Sequence, residues 1–346
     1  MVLSSSWRSP SNIALIKYWG KHGVQLPRNP SLSLTLSACH TDMKVEVTLD
    51  ATNPGIKVLY DGGERPDFEP KIKFFFERLG DHLPWLHRAS IVTDSINTFP
   101  HSAGIASSAS SMSALALCLC DIDDEINDRS AIDDGRWWTR ASEIARLASG
   151  SACRSVYPVA ALWGKQEGVS GSSDLHAIPW ADRVAPLFHT YQDTILIVSS
   201  TEKSVSSSSG HEFMTEHPYA AKRYSVATKN LLDLIESMRM DRGLDPFISI
   251  CEAEALQLHA LMMLGKDPFM LLKPNTISII NEIWKFRKDT GIPVCFTLDA
   301  GPNVHMLYPA SHKSAVHDMM KSNLISYCVD GLYILDEVGK GPKKLS

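Results

Sequence analysis

The chain predicts an α+β protein of two domains, and three observations carry this. Its 346 residues exceed what one hydrophobic core usually serves. Strand-like and helix-like periodicities occur in mixed runs, without regular βαβ alternation. An apolar β run at 194–198 begins a second region near residue 190. The division is therefore placed at 1–188 for an N-terminal domain and 189–346 for a C-terminal domain.

The elements follow in order. Residues 32–36 and 43–49 alternate apolar and polar side chains and read as antiparallel strands. A further strand is expected at 56–60, with Asp61-Gly62-Gly63-Glu64 as a tight turn. Residues 71–79 read as a helix with Phe74, Phe75 and Leu79 inward. A strand-like run ends at Asn97-Thr98-Phe99-Pro100. The small-residue stretch Ser102 to Ser111 then opens a helix reaching about Asp121. A second amphipathic helix spans 133–148, and strand structure returns by 163. In the second region, 206–210 is a serine-rich loop. Helices are expected at 220–240, 247–264 and 276–290, and strands at 294–298, 305–308 and 331–335.

Composition narrows the function class. A hydrophobic content of 44% and a charged content of 21% are those of a soluble globular chain. The net charge of -5 argues against a nucleic-acid partner, which needs a basic surface, but allows a local basic pocket for a small anion. No apolar run reaches the ~18–20 residues of a membrane span, and no signal peptide is expected at the N-terminus. The seven cysteines are odd in number, lack any C-x-x-C spacing and sit mostly in apolar runs. They read as buried thiols of a reducing, cytoplasmic setting.

Several constellations suggest chemistry, each with a plainer reading beside it. In Ser102-Ala103-Gly104-Ile105-Ala106-Ser107-Ser108, small residues allow backbone to approach a ligand, and hydroxyls and free N–H groups gather at a helix start that suits phosphate. The plainer reading is a helix cap. The Walker pattern is absent, so this is no ordinary P-loop. Lys17 and Lys21 bracket Tyr18 and Trp19, either as two ammonium groups beside an anionic substrate or as surface lysines around a buried tryptophan. Arg154 carries a fork that can hold a carboxylate or phosphate bidentately, with Ser149, Ser151 and Ser155 beside it. Asp299 ends an apolar run ahead of Ala-Gly-Pro, where a carboxylate can orient a hydroxyl or simply start a turn. No zinc-type spacing occurs, and His101 is read as a loop residue rather than a metal ligand.

Three strings in order carry a resemblance: Asn12-Ile13-Ala14-Leu15-Ile16-Lys17-Tyr18-Trp19-Gly20-Lys21, Gly150-Ser151-Ala152-Cys153-Arg154-Ser155 and Asp299-Ala300-Gly301-Pro302-Asn303. With them, the chain over about 9–308 resembles the diphosphomevalonate decarboxylases of the GHMP kinase superfamily. That resemblance implies an N-terminal domain like domain 2 of ribosomal protein S5, a ferredoxin-like C-terminal domain and an active site in the cleft between them. It implies ATP-dependent decarboxylation of 5-diphosphomevalonate to isopentenyl diphosphate, with ATP and Mg²⁺ as cofactors, and a homodimer. Asp299, Lys17 and Arg154 match the catalytic positions. Tyr18 and Lys21 match contacts to the diphosphate, and Ser149, Ser151, Arg154 and Ser155 match the substrate anchor. Ser207 matches a serine close to substrate. Asn97, Ser102, Gly104, Ala106, Ser107 and Ser108 fall in the nucleotide site, with Ser107 also meeting magnesium through the ATP phosphates.

The departures are small. The loop Pro100-His101-Ser102-Ala103-Gly104 differs from the common family form at the two positions after the proline. Ala148 stands where a glycine is frequent, and the stretch from Lys21 to Asn29 is about two residues short. A phosphomevalonate decarboxylase taking the monophosphate, a mevalonate 3-kinase, an RNA-binding protein and a nucleotide sensor are the alternatives. Retention of both Lys17 and Asp299 counts against the 3-kinase, and the acidic balance against RNA.

Overall fold

A computed structural model describes residues 1–99, 107–129, 135–201, 207–239 and 243–346, with Ser207 to Ser209 described in backbone only. The first region contains β1 (Val2–Ala14), the two-residue pair β2 (Lys21–His22) and β3 (Leu26–Pro27), and the long β4 (Ser31–Thr48). Then come β5 (Gly55–Tyr60), β6 (Gly63–Glu64), α1 (Glu69–Arg78), β7 (Ser90–Asn97), α2 (Ser107–Ile126), α3 (Gly135–Ala148), β8 (Ala160–Trp163) and β9 (Ala177–Pro179). The second region contains β10 (Gln192–Leu196), α4 (Ser207–Phe213), α5 (Ala220–Arg239), α6 (Asp245–Leu264), α7 (Pro274–Thr290), β11 (Cys295–Leu298), β12 (Val304–Tyr308), α8 (Lys313–Met319), β13 (Tyr333–Glu337) and β14 (Lys343–Lys344).

The strands form a sheet of order β14-β1-β4-β7-β5-β6, with β8 and β9 added beside β4, and a second sheet of order β11-β12-β10-β13. Pairing is antiparallel except for β5 with β7. One strand, β4, replaces the two expected at 32–36 and 43–49. Its first half pairs with β8 and its second half with β7, while β1 runs along both. The change of direction is local: the β1–β4 register shifts between Pro10 and Asn12. Proline has no N–H for the ladder, so a break there is expected. On the β4 side of this irregularity, the Asp336 carboxylate accepts from the N–H groups of Ser37, Ala38 and Cys39 at 2.8, 2.7 and 2.8 Å. A side chain of the second sheet thereby satisfies the donors that the kink frees. β14 also returns the end of the chain to the first sheet, against β1. The boundary expected at 188/189 falls in a short helical turn, Pro186–Thr190, just ahead of β10.

The tight turn at Asp61-Gly62 is present, with φ of 51° and 72°. The helix at 71–79 is present as α1, but Phe74 is not inward. Ile72 and Phe75 are buried with Leu79 just beyond, and Phe74 is 55% exposed beneath the Arg78 guanidinium. The physical reason is helical phase: 72, 75 and 79 share one face, and 74 lies about 100° off it.

Two-sided packing joins the regions. One core cluster takes Leu34 from β4, Ile195 from β10, Leu231 from α5, Phe247 from α6 and Leu307 from β12. Each such buried side chain contributes about 1.5–3 kcal/mol. α6 has the length and hydropathy to cross a membrane, yet it packs into this core through Phe247, Ile248 and Cys251 and carries buried Glu252 and Glu254. Glu254 pairs with the equally buried Arg223 of α5.

Candidate active site

A cleft of about 530 Å³ opens where the segment after β1, the start of α2, the turn after α3, α4 and the end of β11 meet. It brings together ten of the residues singled out in the sequence: Lys17, Tyr18, Lys21, Asn97, Ser107, Ser108, Ser149, Ser151, Arg154 and Asp299. Ser155 is not among the lining residues. It is fully buried, with its hydroxyl accepting from Asn12 Nδ2 at 2.8 Å, so it supports the wall from behind. Ser102, Gly104, Ala106 and His101 lie outside the described residues. Ser207 begins α4, and its side chain is not described.

Arg154 is 2% exposed, and every hydrogen-bond partner it has among the described residues is neutral. Nε donates to Ser33 Oγ at 3.0 Å and Asn12 Oδ1 at 3.3 Å, and Nη1 donates to Ser31 Oγ at 2.7 Å. Burial lowers its pKa, partly offset by the charge of Asp299. A guanidinium stays charged nonetheless. Neutral partners orient it without neutralising it, which leaves the charge for a ligand. The turn carrying it requires Gly150, where a Cβ would lie 2.8 Å from Trp163 and 2.9 Å from the Tyr18 hydroxyl.

Lys17 is the second buried cation. Its Nζ donates to Ala14 O at 2.6 Å, and its backbone N–H donates to Glu254 Oε2 at 2.9 Å. The Arg223–Glu254 pair is therefore a strut that fixes the Lys17 backbone, and Arg223 Nη2 also reaches Lys17 O at 3.3 Å. Burial lowers the Lys17 pKa to about 8, against the opposing pull of Asp299. The cation is therefore present below about pH 8 and lost above it. The rate profile of kcat/KM should accordingly show an alkaline limb beginning near pH 8. Bound anionic substrate raises the pKa, so the limb in kcat should lie higher. A kcat/KM flat to about pH 10 would place the Lys17 charge outside the reaction.

Asp299 follows β11 directly and faces these cations across the cleft. Its carboxylate acts electrostatically on Lys17, Arg154 and His211. Its backbone carbonyl accepts from His259 Nε2 at 3.1 Å and from Gly301 N–H at 2.7 Å, which fixes where the side chain starts.

At one end of the cleft the Tyr18 hydroxyl is buried without a hydrogen-bond partner among the described residues, and burial pushes its pKa up. Lys21 Nζ donates to Gln25 Oε1 at 3.2 Å. His211, from α4, packs against the Tyr18 and Trp19 rings at centroid distances of 4.3 and 5.1 Å. Ser107, Ser108 and Ser111 of α2 also line the cleft, with Asn97 and Lys71. Asn97 Oδ1 accepts from Thr41 Oγ1 at 2.7 Å, and its Nδ2 is a buried donor without a partner among the described residues. Ser108 and Ser149 hydroxyls approach to 3.5 Å, linking α2 to the Ser-Gly-Ser turn.

Asn12, His211 and the Arg223–Glu254 strut went unassigned in the sequence. His211 had a signal, since a histidine directly follows the serine run and Gly210. The other three are made significant only by partners 140 or more positions away, or by each other.

Known proteins match along nearly the whole chain. The model of the diphosphomevalonate decarboxylase-like N-terminal domain matches residues 9–175, and that of the mevalonate 5-diphosphate decarboxylase C-terminal domain matches 194–343. The diphosphomevalonate decarboxylase of Ganoderma lucidum is 29% identical over 343 residues, covering 92% of this chain and 82% of that one. The Homo sapiens diphosphomevalonate decarboxylase is 29% identical over 316 residues, covering 85% and 74%. Among solved structures, the mevalonate diphosphate decarboxylase from Enterococcus faecalis superimposes with a TM-score of 0.82 at 26% identity, covering 100% of both chains. A structure described as MDDEF in complex with MVAPP, AMPPCP and magnesium gives a TM-score of 0.82 at 27% identity, again over 100% of both. The architecture is the two-domain GHMP-kinase fold of these neighbours. With both domain models matched in order across it, the chain belongs to the diphosphomevalonate decarboxylase family.

Proposed function

We propose that the chain catalyses ATP- and Mg²⁺-dependent decarboxylation of 5-diphosphomevalonate to isopentenyl diphosphate, ADP, phosphate and CO₂. The observation that carries this is the pair of buried cations, Lys17 and Arg154, whose side-chain hydrogen-bond partners among the described residues are neutral and which share one cleft with Asp299. Buried charge costs free energy unless it is matched, so such a site fits a small polyanion.

The chemistry sets the roles. Loss of CO₂ needs an acceptor for the electrons of the breaking C–C bond, and hydroxide is a poor leaving group. The tertiary hydroxyl oxygen of the substrate therefore attacks the γ-phosphorus of ATP, ADP departs, and the hydroxyl proton passes to Asp299. The C–C bond to the carboxylate then breaks as the C–O bond to the new phosphate breaks. The electron pair forms the C=C bond, and CO₂ and phosphate leave. Arg154 holds the carboxylate, and Lys17 offsets the charge that gathers between carboxylate and phosphoryl group. Tyr18, Lys21, Ser149 and Ser151 take the diphosphate end. Ser107, Ser108 and Asn97 take the nucleotide phosphates at the positive end of α2. The residues present fit magnesium held through those phosphates: a serine hydroxyl is at hand, while the described residues offer no cluster of three His, Cys, Asp or Glu side chains. When bound, the ion supplies neutralisation of the triphosphate charge. A homodimer enters this reading on the family resemblance, and a cytoplasmic setting on the seven buried free thiols.

Assays on mevalonate, its 5-phosphate and its 5-diphosphate test the reading. Equal yields of ADP and CO₂ are expected, with a specificity constant for the diphosphate at least about tenfold above that for the monophosphate. Each added charge-assisted hydrogen bond is worth about 1.5–3 kcal/mol, more than that ratio needs. ADP without CO₂ on every substrate would make the protein a kinase. A higher constant for the monophosphate would make it a phosphomevalonate decarboxylase, which the short stretch from Lys21 to Asn29 at this end of the cleft gives reason to test.

A further inference from the structure

We propose that His211 is a substrate-binding residue that sets specificity at the diphosphate end, donating from Nε2–H to a phosphate oxygen. The inference rests on the function proposed above and adds a residue to it.

The geometry assigns the tautomer. The backbone N–H of Gly20 donates to His211 Nδ1 at 3.0 Å, so Nδ1 is the acceptor and Nε2 carries the proton. Nε2 makes no hydrogen bond with any described residue, and His211 lines the cleft. The ring has little room to turn away, since it packs on both Tyr18 and Trp19. Its helix is pressed onto Trp19 at Gly210, where even a Cβ would come within 2.3 Å of the indole.

Burial, reinforced by the nearby Lys21 charge, lowers the His211 pKa to about 3, so the imidazole is neutral in the free protein. A neutral donor is what this place can use. Lys21 already supplies positive charge, and a second cation beside it would repel it. Tyr18 Oη–H, Lys21 Nζ and His211 Nε2–H then form three donors of one cleft end. A terminal phosphate presents three acceptor oxygens, which a carboxylate or hydroxyl does not.

Two substitutions separate a binding role from a structural one. His211→Asn keeps an acceptor near Nδ1, and so the Gly20 contact, but falls short of the cleft. His211→Gln places a donor near Nε2 and gives up the Gly20 contact. The expected result is that His211→Asn raises KM for 5-diphosphomevalonate about tenfold, ~1.4 kcal/mol, with kcat and KM for ATP nearly unchanged. Its preference for the diphosphate over the monophosphate should fall by a similar factor, and His211→Gln should recover most of that preference. The proposal is overturned if His211→Asn matches the wild type while His211→Gln is impaired, or if both are impaired with an unchanged preference ratio. Either result would leave His211 as a support for the Gly20 turn. Should either variant fail to fold, the wild type decides. Adding inorganic pyrophosphate to ¹⁵N-histidine-labelled protein should shift one neutral Nε2–H signal, and no shift at saturation overturns the proposal. Absence of CO₂ release by the wild type is a separate outcome, which removes the functional reading itself.

Discussion

Asp299→Asn lowers kcat by at least about 10²-fold while KM for substrate and ATP changes by less than about threefold. Asn keeps the size of the side chain and removes its charge and basicity. The backbone anchors of position 299, His259 and Gly301, contact its carbonyl rather than its side chain, so they survive the change. In the mechanism proposed, ground-state binding falls mainly to Arg154, Lys17 and the serine turn, so KM should hardly move. The same variant orders the two chemical steps. If Asp299 takes the hydroxyl proton, phosphoryl transfer itself slows, and ADP and CO₂ fall together in a single turnover. A burst of ADP without CO₂ would put Asp299 in the second step instead. Wild-type turnover in the variant would reduce Asp299 to a turn former at the end of β11.

Removal of the carboxylate also changes the field at its neighbours. Asp299 opposes the burial that lowers the Lys17 pKa. Without it the Lys17 pKa should fall further, and the alkaline limb of kcat/KM should move to lower pH. A limb that stays in place in Asp299→Asn would mean that the group titrating near pH 8 is not Lys17.

The legible parts of this molecule were those fixed by neighbours in sequence. Helix periodicity found α5, α6 and α7, and Asp61-Gly62 announced its turn, because each depends on local backbone preference and one buried face. β1 was missed for a physical reason. Its inward positions include Ser5, Ser9, Ser11 and Asn12, all buried, so apolar alternation is absent where the strand passes behind the cleft. Ser5, Ser9 and Asn12 are polar because they hold Arg154, or tie β1 to α2 and the turn after α3. Ser5 reaches Asp121, Ser9 reaches Ser113, and Asn12 reaches Arg154 and Ser155. A site that keeps a cation buried must surround it with hydroxyls and amides, and this erases the pattern by which a strand is read. The site was legible only where short strings carried it. His211 had only its place after the serine run to mark it, and its partner Gly20 lies 191 positions away, while the Arg223–Glu254 strut acquires meaning from Lys17, 237 positions from Glu254, which no local spacing reveals.

Arg154→Lys should reduce kcat/KM for the substrate by at least about 30-fold, ~2 kcal/mol, although the charge is kept. The guanidinium makes three contacts, from Nε to Asn12 and Ser33 and from Nη1 to Ser31, and these hold its plane fixed. Nη2, which makes no hydrogen bond with a described residue, is then presented to a ligand carboxylate in a set orientation. An ammonium on a shorter, rotatable stem cannot keep the three contacts and the ligand at once. It would leave buried hydroxyls unpaired in the free protein, or settle among them and leave the substrate carboxylate short of a donor. KM and kcat should both suffer, because the carboxylate must be aligned with the breaking C–O bond for its electrons to reach the leaving group. Stability offers the control. Arg154 also ties β1 and β4 to the turn after α3, so a purely structural role predicts a large fall in Tm with kinetics of the surviving folded fraction unchanged. An unchanged specificity constant at full folding would assign Arg154 to the scaffold and leave Lys17 as the cleft's working cation.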